Sequence, residues 1–360
     1  MTRSGAKREL HGPGVIALLG SGETSASGGQ VFETLARHLP VPLQARVLET
    51  PAGFELNAGQ VAGRVADYLR QRLQNSSPNV LQVEARRKDA ATLAEPGVNQ
   101  PLLDAELIFL GPGSPSYAVR HLRGSLTWEL ALARHRVGAA LVLASAAAIA
   151  AGALALPVYE IFKVGEDPHW KAGLDLLAPF GLSLVIVSHW NNHDGGADLD
   201  TSRCFVGRQR FDPLLAQLHP TMTVLGLDEQ TGVILDLQRE RCKVLGHGQI
   251  HILRGGSEQA YAHGTDFSIH ELGDFRLPEP LEAGISPETW QAVQARPTAP
   301  AASGLPQDVV ELLAQRQAAR ERRDWAASDR FRVEIARRGF RVTDTPEGQQ
   351  VEAEDPIRRG

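Results

Sequence analysis

Cysteine is nearly absent: Cys204 and Cys242 are the only two in 360 residues, and they form no CxxC pair. That scarcity argues against a disulfide framework or a structural zinc site and fits a reducing, cytoplasmic compartment. A secretory leader is not expected either. The basic start MTRSGAKRELHGPG is followed by no apolar stretch of signal-peptide length, since VIALLG is too short. Excess charge is lacking too. A formal net charge of -5 gives no overall reason to expect nucleic acid or an anionic membrane as the main partner. The run from Gly138 to Tyr159 carries no charge, long enough for a membrane span, but alanine and glycine make it weakly apolar. Its first half, AALVLA, reads instead as a buried strand ending at Ser145.

Motifs for common cofactors are missing as well. The turn GSGETS after the first apolar run has neither GxGxxG nor a P-loop lysine, so no nucleotide is expected there. The histidine groups, His189 and His193 with Asp194, and His247 with His251, match no HExxH or comparable ligand spacing, so no metal is expected. No repeat of solenoid length occurs.

What remains is a globular composition, 42% hydrophobic and 22% charged. From Val15 short apolar runs alternate with helix-like segments, which predicts an α/β fold, a mostly parallel sheet flanked by helices. VIALLG, ARVLET, NVLQVEA, AELIFL, AALVLA and LSLVIVSHW are the expected strands, with MTVLGLD, GVILDL, CKVLG and QIHIL as later, hairpin-rich ones. Ligands in such folds gather at the carboxyl ends of the strands.

The expected organisation is an N-terminal tail (1–13), an α/β domain (14–281), a Pro/Ala-rich linker (282–306), a helical hairpin (307–350) and a tail (351–360). Nine arginines face five acidic residues between Glu311 and Arg341.

VLASAAAIAAG sets Ser145 between a strand and a helix among small residues, where a hydroxyl stands clear of the backbone and helix N–H groups face an oxyanion. A helix-capping serine is the bland alternative. His189 ends an apolar strand, so it is expected at the same edge as a base, with Asp194, Glu229 or Asp228 as acids to orient it. The turn GPGSPSY offers the N–H groups of Gly113 and Ser114, and the elbow that of Ala146, for an oxyanion.

Together GPGSPSYAVRHL, LVLASAAAIAAG, VSHWNN, FVGRQRFDPLL and VLGLDEQTGVIL resemble the cyanophycinase and aspartyl dipeptidase family of serine peptidases, which has the class I glutamine amidotransferase-like, flavodoxin-like three-layer fold. The resemblance covers about Val15 to Leu253. It implies Ser145 as nucleophile, His189 as base, Arg208 and Arg210 as substrate-holding residues, and Asp228 and Glu229 near the site; Glu229 and Asp194 both stay open as the acid, and Asn191 and Asp228 are further candidates for substrate binding. The sequence departs from the family elbow, Gly-Thr-Ser-Ala-Gly, with Leu143 and Ala147 at the glycine places. Val187-Ser188 likewise replaces the usual Asp-Gln before the base.

A second resemblance covers Val309 to about Gly348, where RRDWAASDR and DTPEG look like the C-terminal helical segment of cysteinyl-tRNA synthetases. HIGH, KMSKS and the zinc-ligand cysteines of those enzymes are missing, so synthetase activity is not expected.

The leading expectation is a cofactor-free serine hydrolase acting on a peptide or amide. The alternative is a non-catalytic scaffold whose residues 307–350 contact tRNA or a synthetase. An amidotransferase-like domain feeding a partner lacks its usual cysteine. Oligomeric state has no signature in the sequence.

Overall fold

The computed structural model describes residues 12–295, 307–322, 324–345 and 348–353. The expected tails and linker fall outside these at 1–11, 296–306 and 354–360. The chain divides into two compact units, residues 1–301 and 302–360.

In the first unit the strands are β1 (Ile16–Leu19), β2 (Gln44–Leu48), β3 (Asn79–Val83), β4 (Leu107–Leu110), β5 (Ala140–Ala144), β6 (Leu154–Ala155), β7 (Lys171–Ala172), β8 (Leu184–Val187), β9 (Thr223–Leu227), β10 (Thr231–Asp236), β11 (Arg241–Gly246), β12 (Gln249–Arg254), β13 (Ser257–Ala262) and β14 (Asp266–Ser268). The helices are α1 (Ala26–Ala36), α2 (Ala58–Arg72), α3 (Pro115–Leu122), α4 (Leu126–Arg136), α5 (Ala146–Ala150), α6 (Arg208–Leu215) and α7 (Pro287–Gln294).

The main sheet has the order β14-β11-β10-β1-β5-β4-β2-β3, parallel from β1 through β3 and antiparallel beyond β1 at the β10 side. Its central strands alternate cleanly between two cores. Ile16, Leu18, Ile108, Leu110, Leu141 and Leu143 face one, while Ala17, Leu19, Leu107, Phe109, Val142 and Ala144 face the other. Both faces are covered, which is why these strands read as continuous apolar runs. Val31, Phe32 and Leu35 of α1 with Val65 and Leu69 of α2 fill the second core. The first holds residues of α3, α4 and α5 together with a second sheet.

That second sheet revises the expected layout. LSLVIVSHW adds no strand to the main sheet: β8 pairs in parallel with β9 inside a six-stranded sheet ordered β13-β12-β9-β8-β6-β7. The mostly parallel sheet is therefore accompanied by a mixed one, and chain order alone does not say which sheet a buried strand joins.

Part of the segment expected as a linker is a capped helix. Ser286 accepts from the Thr289 N–H, Pro287 occupies the first turn of α7, and Trp290 and Val293 are buried in the first core.

In the second unit α8 (Gln307–Glu321) and α9 (Trp325–Arg337) form the expected helix pair, and Asp324 caps α9 by accepting from Ala327 N–H. A two-stranded antiparallel hairpin, β15 (Phe340–Thr345) and β16 (Gly348–Ala353), follows where only helix was expected. Val309, Ile335 and Val342 make its small core.

Candidate active site

β5 ends at Ala144, and Ser145 follows at φ 52°, ψ -115°, a conformation that L side chains rarely adopt. The turn is held on both sides. Ser145 N–H donates to the Leu19 carbonyl at 3.0 Å, and the Ser145 carbonyl accepts from Ile149 N–H at 3.1 Å and from the Ser188 hydroxyl at 3.1 Å. Ala146, Ala147 and Ala148 are buried directly after it. The side chains of Leu143 and Ala147, the two departures from the family pattern, are accommodated in the first core.

His189 emerges two residues beyond the end of β8, also at positive φ (51°). Its parallel neighbour β9 brings Glu229 out two residues beyond its own end. Ser145 Oγ lies 2.9 Å from His189 Nε2, and His189 Nδ1 lies 2.8 Å from Glu229 Oε1. A carboxylate only accepts, so Nδ1 carries the hydrogen and Nε2 presents a lone pair to the Ser145 hydroxyl, which donates to it. All three side chains are partly exposed, the imidazole 18% and the carboxylate 27%.

Glu229 is fixed by two asparagines. Asn192, itself buried, donates from Nδ2 to Glu229 Oε1 at 2.9 Å, and Asn191 Oδ1 accepts from the Glu229 N–H at 2.8 Å. Asn191 thus anchors the acid's backbone, a role different from the substrate contact expected of it. Asn192 was not singled out in the sequence, and Ser188 only as part of the departure before the base; their place within VSHWNN, around His189, was the available signal.

Other expected residues lie elsewhere. Asp194 is exposed and its N–H bonds the Asn192 side chain, so it does not orient His189. Ser114 caps α3 with its hydroxyl, and its N–H is taken by the Pro51 carbonyl at 2.9 Å, which removes it as an oxyanion donor. Gly113 N–H and Ala146 N–H have no acceptor among the described residues. Gly113 has φ 144°, and a Cβ there would meet the Pro51 oxygen at 1.9 Å, so close approach explains this glycine.

The carboxylate of Asp228 is taken up by structure, accepting from Gln249 N–H at 2.9 Å and lying 3.4 Å from His251 Nε2. Arg210 donates to the carbonyls of Val206 and Phe205, and Arg208, exposed at the start of α6, gives its N–H to Asp200. Neither set of bonds reaches Ser145, His189 or Glu229, and the expected substrate-binding role has no support from them.

Cys204 is buried beside the site. Burial, with the charge of Glu229 adding to it, pushes its thiol up to about 12, so it stays protonated. His251 contacts Asp228 and Glu258 and stacks on Trp190, whose ring also lies 3.6 Å below the Arg203 guanidinium. Among the described residues no group of three or more His, Cys, Asp or Glu is arranged to hold a metal ion. No helix among them is long and apolar enough to cross a membrane.

The family model of the cysteinyl-tRNA ligase anticodon binding domain matches residues 302–351. Cysteine-tRNA ligase 1 of Burkholderia lata is 45% identical over 135 residues, covering 32% of this chain and 28% of the ligase. The chain thus spans under a third of that relative's length. A crystal structure of a peptidase from an acI-B1 Actinobacterium superposes with a TM-score of 0.56 at 19% identity, covering 72% of this chain and 98% of that one. The chain therefore has a unit that shares its fold with that peptidase and a C-terminal segment similar to the ligase's anticodon binding domain.

Proposed function

We propose that the protein is a serine hydrolase of the peptidase or amidohydrolase kind. One observation carries this reading: the unbroken chain from Ser145 Oγ to His189 Nε2 at 2.9 Å and from His189 Nδ1 to Glu229 at 2.8 Å. A serine hydroxyl is a weak nucleophile until an adjacent base removes its proton, and the base must hold the right tautomer. Glu229 supplies that orientation and stabilises the imidazolium once it forms.

In this mechanism Ser145 Oγ attacks a carbonyl carbon while its proton passes to Nε2. The oxyanion is held by the N–H groups of Gly113 and Ala146. Collapse expels the leaving amine, which takes the proton from Nε2 and leaves an acyl group on Ser145. Water, deprotonated by the same nitrogen, then releases the acid. The backbone strain at Ser145 supports the reading, since such strain persists only where surrounding structure enforces it.

A fluorophosphonate label tests it: stoichiometric modification is expected, lost in Ser145→Ala. Absence of labelling, together with unchanged amide and ester hydrolysis in Ser145→Ala, overturns it.

A second reading rests on the match of residues 302–351 to the anticodon binding domain: the first unit is a non-catalytic scaffold and the C-terminal arginines contact tRNA. It expects no labelling and tRNA binding that weakens steeply with salt.

A further inference from the structure

Five aromatic side chains fall into two groups, one at each end of the site. At the base, Phe205 lies 5.8 Å from the His189 ring, and Phe162 lies 5.6 Å from Phe205. At the oxyanion loop, Tyr117 belongs to α3, which Ser114 caps, and Phe54 lies 5.2 Å from Tyr117. Phe54 follows Pro51, whose carbonyl is bound by Ser114 N–H beside Gly113. Tyr159 extends the second group: its ring is 6.4 Å from Phe54, and burial, then the nearby charge of Glu55, raises its phenol above the usual range.

Phe54, Tyr159 and Phe162 are among the exposed large apolar residues of the chain. Aromatic surface left in water within one group marks a binding surface rather than a packing remnant.

Charge points the same way. Glu55 has no ion-pair partner among the described residues and adds negative charge at the Phe54 end. Glu160 is neutralised by Lys171 at 2.7 Å. Arg210 is bound to the Val206 and Phe205 carbonyls, so it braces the Phe205 turn. Phe205 itself belongs to three consecutive residues at positive φ, Arg203, Cys204 and Phe205, and the Cys204 N–H donates to the His189 carbonyl at 3.1 Å.

Resting on the serine hydrolase reading, we infer that the site selects substrates with an aromatic or other apolar group next to the scissile carbonyl, and discriminates against acidic ones. Phe54, Tyr117, Tyr159, Phe162 and Phe205 form the subsite. Lys163, whose Nζ lies 5.8 Å from the Phe162 ring centre, is the cation that the opposite preference would use.

The full chain is tested with three p-nitrophenyl esters: acetate, 3-phenylpropanoate and the succinate monoester. The phenylpropanoate is expected to exceed the succinate by about tenfold or more in kcat/KM. Phe54→Ser and Phe162→Ser, both at exposed positions, are expected to shrink that ratio severalfold, mainly through KM. Equal or better use of the succinate, or a ratio unmoved by both variants, overturns the inference. If acetate hydrolysis still depends on Ser145 in that case, only the substrate assignment fails. If no ester hydrolysis depends on Ser145 and no fluorophosphonate label is taken up, the hydrolase reading and this inference fall together.

Discussion

The Ser188 hydroxyl donates to the main-chain carbonyl of Ser145 at 3.1 Å, joining the end of a strand in one sheet to the turn after a strand in the other. Ser188 itself is fully buried, and the bond is part-buried. It ties the segment carrying His189 directly to the elbow. Ser188→Ala is expected to cost about 1 kcal/mol of stability. Looser placement of base against nucleophile is expected to lower kcat about tenfold. Urea unfolding and ester hydrolysis measured on the same variant check both; a full loss of stability with unchanged kcat would confine Ser188 to a structural role.

The two candidate acids separate under substitution. Glu229 bonds the imidazole while Asp194 does not reach it. Glu229→Gln is expected to lower kcat/KM by about 10³-fold or more, because the amide no longer enforces the tautomer. Asp194→Asn, at an exposed position, is expected to stay within about threefold. The reverse order in steady-state rates would reassign the acid.

Strain at the elbow predicts a trade between stability and chemistry. At φ 52° and ψ -115°, Ser145 occupies backbone space natural to glycine. Ser145→Gly and Ser145→Ala both lose the hydroxyl, yet only glycine relieves the strain. Against the entropic cost of glycine, the Gly variant is expected to be about 1 kcal/mol more stable than the Ala variant. Thermal melts of the two inactive proteins decide it.

His135 gives a pH signature away from the site. It is buried, with Nε2 against the Gly14 carbonyl at 2.9 Å, and burial, then the charge of Arg136, lower its imidazole to about 3. In the unfolded chain the group titrates near ~6.5. The unfolded state therefore holds the extra proton below that pH, and folding stability falls as pH drops from about 6.5 toward about 3. His135→Gln keeps a donor for the carbonyl without titrating. The stability of wild type relative to this variant is expected to drop by about 2 kcal/mol between pH 7.5 and 5.0. A difference that stays constant across this range would show that His135 titrates normally.

The strand runs were legible because both faces of the main sheet are buried and each strand is apolar along its length. Ser145 was legible from the small residues that a sharp strand-to-helix turn requires, and His189 from its place after an apolar strand. Choosing Glu229 over Asp194 was not legible. Glu229 comes 40 residues after His189 and Asp194 only five, and sequence left both open, while in the fold Glu229 bonds the imidazole. The parallel register of β8 and β9 reverses that order in space.

By itself, then, the sequence determined the main strands, the strand-to-helix turn at Ser145 and the separate C-terminal segment, but neither α7 in the expected linker nor the β15–β16 hairpin; what it determined follows from local pattern: periodicity, residue size and composition. Tertiary structure alone decided which sheet carries His189, which carboxylate bonds it, and which loop amides stay unpaired among the described residues. Those outcomes depend on contacts between residues far apart in the chain. The Ser114 N–H shows the difference best: in sequence it sits beside Gly113 in the same glycine turn, and only the folded position of Pro51 removes it from the site.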